Sequence, residues 1–265
     1  MGMSGTESSP LPTSLFRYLS LVKLIDLVCN KRLPIVKIDC LGDPNEGAIV
    51  RGSSLRCDLV ALDPNSGLRT PLGEHSLSDD HSLYSAQLGA RTLHYASCWY
   101  DQSSESVALW KIYAADHGVM IEVPTDYLAD VIATRNGVIR RVTYCDIHSP
   151  SDLDGNDAFS VSTRKHIAYL YEAEVRLLFQ QDFSCGVDPT WTVVRNGKPQ
   201  VLMPKVQYIP FMPEKIIRIT VSPDSAVWQQ EALQRVLNLA SCKAVISTSR
   251  LAGSVGISAP NGQSR

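Results

Sequence analysis

The chain has no pairwise cysteine spacing of the kind that marks a structural metal site or a redox centre. Its 7 cysteines are odd in number and scattered, with no CxxC pair, which argues against a structural zinc and a thioredoxin-like site. Scattered thiols of this kind are typical of small core residues in a reducing compartment. We therefore expect reduced cysteines and a cytoplasmic protein.

Long apolar runs are also missing. No segment approaches the roughly 20 apolar residues that a membrane-spanning helix requires, and the stretch from Met1 to Pro12 is small and polar, unlike a signal peptide. Hydrophobic residues make up 44% of the chain and charged residues 20%, which are ordinary values for a globular protein with a packed core. We expect a soluble protein with no membrane partner.

Several common signatures of nucleotide and hydrolase chemistry are absent. The sequence contains no GxGxxG, GxxxxGK[ST], GxSxG or HExxH, which argues against Rossmann, P-loop, serine-hydrolase and zinc-peptidase sites. The formal net charge is -2, so a generally basic surface for nucleic acid is excluded, although a local basic patch is not.

Short strands alternate irregularly with helices, and some strands are joined by hairpin-type turns. This pattern favours an α+β fold, with mixed or antiparallel sheets and flanking helices, over a doubly wound parallel sheet. We predict one domain over residues 13–248, with flexible tails at 1–12 and 249–265. The polar region around 51–91 is predicted to be an irregular insertion.

Four local patterns give sharper predictions. Asn196–Gly197 predicts a hairpin turn, and the apolar spacing predicts a helix around Thr163 to Tyr171. Ser222–Pro223–Asp224 has the capping serine, early proline and acidic residue of a helix start. Gly118 is predicted to end a helix in the left-handed conformation.

A series of short motifs runs through the chain in a fixed order. In this sequence they are Phe16–Arg17–Tyr18, Asp43–Pro44–Asn45–Glu46–Gly47, Ser97–Cys98–Trp99, Leu109–Trp110–Lys111–Ile112–Tyr113–Ala114, Glu172–Ala173–Glu174–Val175–Arg176, and Thr220–Val221–Ser222–Pro223 followed by Trp228. The ordered set resembles a prokaryotic family known only as a domain of unknown function, with YRY, DPFEG, SCW, MWxxYA, EREVR and YVSP motifs. Asn45 departs from the usual aromatic residue, and the 51–91 region fits poorly.

A weaker resemblance, at the level of the fold, is to the ADP-ribosyltransferases. Those enzymes place a triad on three separated strands, and Arg17, Ser97 and Glu174 occur here in the matching order. The resemblance implies an ADP-ribosyltransferase-like fold, NAD as the donor substrate and no metal. It is an analogy, since one fold hosts many functions.

The chemistry of ADP-ribosyl transfer assigns a role to each candidate residue. Cleavage of the nicotinamide–ribose bond passes through an oxocarbenium-like transition state, which a carboxylate stabilises; Glu174 is the candidate, with Ser97 as the second catalytic residue. An arginine suits the pyrophosphate, and an aromatic ring can stack on nicotinamide. The predicted NAD-binding residues are Arg17, Tyr18, Trp99, Tyr113 and Arg176.

Structural explanations compete with these roles. Arg17 and Glu174 would also suit an ion pair between neighbouring strands, and Glu172, Glu174 and Arg176 would also suit a solvated strand face. Cys98 is a poor nucleophile candidate, because a base such as His94 would be badly placed.

A metal site formed by His75 and His81 with Asp79 and Asp80 is a further alternative, for which an exposed polar loop is the better explanation. A metal-dependent nuclease or hydrolase built on these histidines would need converging carboxylates, and no acid-rich spacing supports it.

Two main functions follow. The first is an ADP-ribosyltransferase-like enzyme of the glycosyltransferase class that modifies RNA, DNA or protein, as a toxin or an anti-phage defence effector with an antitoxin or immunity partner. The second is a non-catalytic binding or sensor module of a bacterial defence or regulatory system. In the second case Arg17 and Glu174 should saturate each other, with no open pocket between them.

Overall fold

The computed structural model of the protein describes residues 10–62, 69–114, 117–150, 152–154, 159–181, 192–195, 198–201 and 203–253. Within them the strands are β1 (Ser14–Leu19), β2 (Arg32–Lys37), β3 (Ser54–Leu62), β4 (Arg69–Leu77), β5 (His94–Tyr100), β6 (Val119–Pro124), β7 (Val138–Arg141), β8 (Thr143–Cys145), β9 (Asp152–Asp154), β10 (Arg164–His166), β11 (Glu174–Gln180), β12 (Thr192–Arg195), β13 (Lys198–Val201), β14 (Val206–Pro210), β15 (Arg218–Val221) and β16 (Val245–Thr248).

The helices of the described residues lie between these strands. They are α1 (Leu21–Cys29), α2 (Asp80–Leu93), α3 (Val107–Leu109), α4 (Thr125–Ala133) and α5 (Val227–Leu239), with a π-helix at Trp110–Ala114 directly after α3. Short 3-10 turns occupy Ile38–Cys40, Val161–Thr163, Ile167–Glu172 and Pro213–Lys215.

A nine-stranded mixed sheet forms the centre of the structure, and it forks along one edge of β5. The other edge of β5 pairs with β11 over its whole length, from Glu174 opposite Tyr100 to Gln180 opposite His94. On the forked edge, β5 pairs with β2 at Tyr95 and Ala96 and with β1 at Tyr100. We call β2 and β14 the β2 limb, and β1, β6, β15 and β16 the β1 limb.

The two faces of the sheet have different covers because side chains alternate along each strand. One face carries Val175, Leu177 and Phe179 of β11 and packs in the main core with buried leucines of α1, α4 and α5. The other face carries Phe16 and Tyr18, which pack with residues of α3 and the π-helix.

The mixed sheet with flanking helices confirms this coarse part of the sequence prediction. The expected hairpin is present as the antiparallel pair β12–β13, while Asn196 and Gly197 lie outside the described residues. The predicted tail at 1–12 lies largely outside them as well, since the description begins at residue 10.

The 51–91 region is not irregular where it is described. It contains the antiparallel pair β3–β4 and the 14-residue helix α2, whose cap Asp79 accepts a hydrogen bond from the Ser82 amide at 2.9 Å. Only Leu83 and Ala90 of α2 are buried. The helix therefore needs only a narrow apolar stripe, and the rest of its surface is polar.

Three local predictions are wrong in detail. The segment predicted as a helix around Thr163 to Tyr171 consists of 3-10 turns on either side of β10. Helix α5 begins at Val227, after Ser222 has formed a turn in which its Oγ accepts from the Asp224 amide at 3.4 Å. The left-handed residue is His117 (φ 65°), one position before Gly118.

The predicted C-terminal tail begins too early, at residue 249. Ser249 is buried, and its Oγ donates to Glu105 Oε2 at 2.5 Å, while the Arg250 amide donates to Glu105 Oε1 at 2.7 Å. The residues after 253 lie outside the described part of the chain.

Candidate functional site

A cavity of about 460 Å³ opens at the fork of the sheet. Ser97, Cys98 and Trp99 lie between the last β5 residue paired with β2 and the residue paired with β1. Both limbs, β5, the π-helix and the segment before β11 contribute to the cavity wall. The divergence of the limbs therefore creates a space whose walls come from distant parts of the chain.

Arg17 forms the basic part of this wall. It lies on β1, and its Nη1 donates to Ser97 Oγ across the fork at 2.7 Å; the same oxygen accepts from Trp99 Nε1 at 3.2 Å. The guanidinium lies 5.7 Å from the centre of the Trp99 ring. Among the described residues Arg17 has no carboxylate within salt-bridge distance, and burial lowers its pKa.

The opposite chemistry is found in a buried group that we call the acidic cluster: Glu46, Lys165, Glu172, Glu174 and Arg176. Arg176 Nε and Nη2 donate to the two carboxylate oxygens of Glu174 at 2.7 and 3.1 Å, and Nη2 also donates to Glu46 Oε1 at 2.8 Å. Lys165 Nζ donates to Glu172 and, at 3.1 Å, to Glu174.

The charged groups of the acidic cluster shift one another's pKa values. Burial raises the pKa of Glu174, but Arg176 and Lys165 outweigh burial and lower that pKa to about 2. Burial raises the pKa of Glu172 despite its contact with Lys165. Burial also opposes the charge on Lys165, yet the surrounding carboxylates raise its pKa. Glu174 is therefore ionised at neutral pH, and Glu172 is the carboxylate closer to protonation.

The backbone before Glu174 is held in an unusual conformation. Ala173 has φ 37°, in the left-handed region that costs a residue with a Cβ atom free energy. The Glu174 amide donates to the Tyr144 hydroxyl at 2.8 Å, and its carbonyl accepts from the Val142 amide at 2.9 Å. Strain that is over-determined in this way often fixes a functional side chain.

Cys98 lies on the same wall as Glu174 and is not poised as a nucleophile. Burial, followed by the nearby Glu174 carboxylate, raises the pKa of the Cys98 thiol well above its usual value. The thiol therefore stays protonated, which agrees with the sequence-based expectation that Cys98 is a poor nucleophile.

Aromatic side chains line the cavity between its basic and acidic parts. Tyr18 packs edge-on against Tyr100 at 5.9 Å between ring centres, and its hydroxyl accepts from the Ser106 amide at 2.8 Å. Tyr113, on the π-helix, is 44% exposed and donates its hydroxyl to Glu172 Oε1 at 2.8 Å. The rings offer flat apolar surface beside charged groups.

The structure brings five of the seven predicted site residues to one cavity: Arg17, Tyr18, Trp99, Tyr113 and Glu174 all line it. Ser97 and Arg176 are not among the lining residues. Ser97 instead holds Arg17, and Arg176 is fully buried behind Glu174. We therefore revise Ser97 from a catalytic residue, and Arg176 from an NAD-binding residue, to side chains that position Arg17 and Glu174.

The competing structural explanations are also decided by these contacts. Within the described part of the chain, Arg17 and Glu174 do not pair with each other: β5 separates their strands, Arg17 bonds Ser97, and Glu174 bonds Arg176. The solvated-face explanation fails, because Glu172, Glu174 and Arg176 are 6%, 4% and 0% exposed.

Sequence reasoning missed Asp43, Glu46, Lys165 and Glu172 as cavity residues. A signal for three of them existed, since Asp43 and Glu46 lie in the Asp43–Gly47 motif and Glu172 lies in the Glu172–Arg176 motif. Lys165 gave no such signal, because its role depends on carboxylates supplied by other segments.

In the described residues we find no group of three or more His, Cys, Asp or Glu side chains that could hold a metal. The side chain of His75, part of the metal alternative, lies outside the described part of the chain. No helix in the described residues is long and apolar enough to cross a membrane.

Comparison with known proteins returned no relative: no protein-family model, no curated protein and no solved structure matches the chain. Both resemblances drawn from the ordered motifs therefore remain predictions.

Proposed function

We propose that this protein is an ADP-ribosyltransferase-like enzyme that transfers ADP-ribose from NAD to a macromolecular target, RNA, DNA or protein. The observation that carries the proposal is the charge separation within the cavity. Arg17, which has no carboxylate partner among the described residues, lines the same space as the three carboxylates of the acidic cluster. NAD has the complementary pattern, with an anionic pyrophosphate and a cationic nicotinamide ring.

The proposed binding mode follows from this pattern. The Arg17 guanidinium, which Ser97 and Trp99 hold in place, offers a planar set of donors to phosphate oxygens. Lys23 of α1 also lines the cavity and adds a second cation. The rings of Tyr18 and Tyr113 offer stacking surface for the flat parts of the nucleotide.

In the proposed reaction the bond between the ribose C1′ and the nicotinamide nitrogen breaks, and its electron pair neutralises the pyridinium ring. The positive charge that develops on the ribose is stabilised by the ionised Glu174 carboxylate. A lone pair of the target then forms a bond to C1′, and the target loses a proton to solvent. Arg176 and Lys165 keep Glu174 ionised and in place.

The test is release of nicotinamide and transfer of label when purified protein is incubated with NAD, labelled in its adenylate part, and a cell lysate. We expect activity in the unmodified chain. We expect a loss of about 100-fold or more in kcat for Glu174→Asp, which keeps the charge but withdraws it by one methylene. Arg17→Met is expected to raise KM, and Arg235→Met on the exposed side of α5 is the matched control. Absence of both nicotinamide release and transfer in the unmodified chain contradicts the proposal.

One observation favours a second candidate, a non-catalytic binding or sensor module, although the mutual pairing of Arg17 and Glu174 expected for it is not found among the described residues. Both oxygens of Glu174 already accept hydrogen bonds from Arg176, and the side chain is 4% exposed. A module of this kind would bind a nucleotide without cleaving NAD, and Glu174→Asp would leave its affinity for ADP-ribose unchanged. Calorimetric titration with ADP-ribose beside the NAD assay separates the two functions.

A further inference from the structure

Two carboxylate oxygens on the cavity wall lack a hydrogen-bond partner among the described residues. They are Asp43 Oδ2 and Glu46 Oε2, and both are shielded from water. The two residues are 6% and 1% exposed and both line the cavity at the fork. A buried acceptor without a donor is costly and rare, and a donor from a bound group is one way to satisfy it.

The turn that carries these residues orients both of them. The Asp43 Oδ1 atom accepts from the Asn45 amide at 2.9 Å, and the Glu46 amide donates to the Asp43 carbonyl at 3.1 Å. Arg176 occupies Glu46 Oε1 at 2.8 Å. One oxygen of each carboxylate is thus held by the fold, and the other oxygen of each meets a ligand once the side chain turns toward the cavity that its residue lines.

The local charge balance sets the kind of ligand. Three carboxylates of the acidic cluster face two cationic side chains, and Asp43 adds a fourth carboxylate to the wall. Arg91 lies on the same turn, where it donates to the backbone carbonyls of Pro44 and Glu46, so the carboxylates outnumber the cations here by four to three. A cationic ligand with N–H donors satisfies both the charge and the two oxygens.

We propose that Asp43 and Glu46 form the subsite for the positively charged nicotinamide head of the donor, with its carboxamide N–H groups donating to the two unpartnered oxygens. This inference rests on the proposed function and deepens it, since it fixes the direction in which NAD lies. The head points to the acidic part of the cavity and the pyrophosphate to Arg17. Asp43 and Glu46 then select the oxidised, cationic donor over its neutral reduced form.

The experiment measures binding of head-group probes by NMR or calorimetric titration of the full chain. N1-methylnicotinamide is the cationic probe, and nicotinamide is its neutral counterpart. We expect the cation to bind at least about tenfold more tightly, since both probes carry the same carboxamide donors and only the cation adds Coulomb attraction to the two carboxylates. Equal affinity of the two probes, or no saturable binding of N1-methylnicotinamide, overturns the inference.

Two variants convert each unpartnered oxygen from an acceptor into a donor with little change of shape. Asp43→Asn retains the acceptor for the Asn45 amide, and Glu46→Gln retains the acceptor for Arg176. Each variant is expected to lose the preference for the cation. Asp39→Asn is the control, because it removes the same charge nearby from a residue paired with Lys37. If both variants prefer the cationic probe over nicotinamide as strongly as the unmodified chain does, the subsite is overturned.

Binding of ADP-ribose, which lacks the head group, separates this inference from the proposed function. If the variants bind ADP-ribose normally and lose only the cationic probe, the subsite is supported. If the unmodified chain binds the cationic probe and does not cleave NAD, the transferase proposal fails and the head-group subsite stands. If NAD is cleaved with no preference for the cationic probe, the subsite fails and the transferase stands.

Discussion

At the scale of single residues, Glu174 has to serve the fold and the proposed chemistry together. Its carboxylate is buried, accepts both donors of the Arg176 fork and contacts Lys165. Burial alone would favour the neutral acid, and the two cations reverse that preference. Removal of the Glu174 carboxylate would leave the buried Arg176 Nε and one Lys165 contact without their charged acceptor. A Glu174→Gln variant therefore tests stability as well as activity.

We predict that Glu174→Gln lowers the free energy of unfolding by about 3 to 5 kcal/mol at pH 7, as for other broken buried ion pairs. The loss should depend on pH. The pKa of Glu174 is about 2 in the folded chain, against an ordinary value of 4.5. The carboxylate therefore stabilises the fold fully above about pH 4.5, and its contribution is lost as the pH falls toward 2.

Urea denaturation of both proteins across this pH range measures the difference. Subtracting the variant's free energy of unfolding from that of the unmodified chain removes, to first order, the contribution of the other titrating carboxylates. A difference that stays constant from pH 6 to pH 2.5 would contradict the depressed pKa. The control is Glu231→Gln on the exposed side of α5, which should show no such change.

At the scale of secondary-structure elements, the π-helix joins the cavity wall to the sheet. Trp110 packs with Tyr18 at 5.0 Å between ring centres, and Tyr113 reaches Glu172. The chain then turns through His117 and Gly118 into β6. A wider helical turn at this place is typical of π-helices, which are frequent at functional sites.

We predict that Gly118→Ala destabilises the protein by about 1 to 3 kcal/mol, because a Cβ atom there would lie 2.1 Å from the Ala114 carbonyl oxygen and 2.5 Å from that of Leu19. Both contacts are to backbone, so β1 and the π-helix must separate. The variant should also weaken binding in the cavity that these two elements line.

Gly89→Ala in α2 is the matched control, since nothing lies within 4 Å of a Cβ atom at that position. Alanine favours a helix over glycine by up to about 1 kcal/mol, so this variant should be as stable as the unmodified chain or more so. Thermal unfolding of the two variants decides the point. Equal stability of both would show that the close approach at Gly118 has no energetic consequence.

At the scale of the whole molecule, the fork places three independent parts of the fold around one space. The β1 limb supplies Arg17, β5 supplies Trp99, and the region of the β2 limb supplies Asp43 and Glu46. Among the described strands the two limbs share strand pairing only through β5, where the cavity lies. Side chains of both limbs also pack together in the main core. A ligand in the cavity would contact both limbs.

We predict that saturating ADP-ribose slows backbone hydrogen exchange in β1 and in β2 together, because a bound ligand links the limbs and stabilises the folded state by mass action. Strand β16, at the outer edge of the β1 limb, is the internal reference and should change least. Mass-spectrometric exchange with and without ligand measures the effect. Protection confined to one limb would contradict a ligand that lies across the fork.

Local sequence patterns determined the elements whose cause is local. The Ser20 cap and the apolar stripe of α1 follow from neighbouring residues, and so does the core-facing alternation of Val175, Leu177 and Phe179. Local patterns failed at 163–171, where apolar spacing resembled a helix. The resemblance to the ADP-ribosyltransferases supplied Arg17, Tyr18, Trp99, Tyr113 and Glu174 as candidates, and all five line one cavity.

The tertiary structure decided how the charged residues are partnered. Lys165 could have been an exposed lysine, and Arg176 a ligand-binding arginine, until the fold buried both among Glu46, Glu172 and Glu174. Those carboxylates come from segments more than 100 residues apart, so no local pattern specifies their meeting. Burial then converts ordinary side chains into a coupled group with shifted pKa values, since charge interactions depend on distance and on exclusion of water.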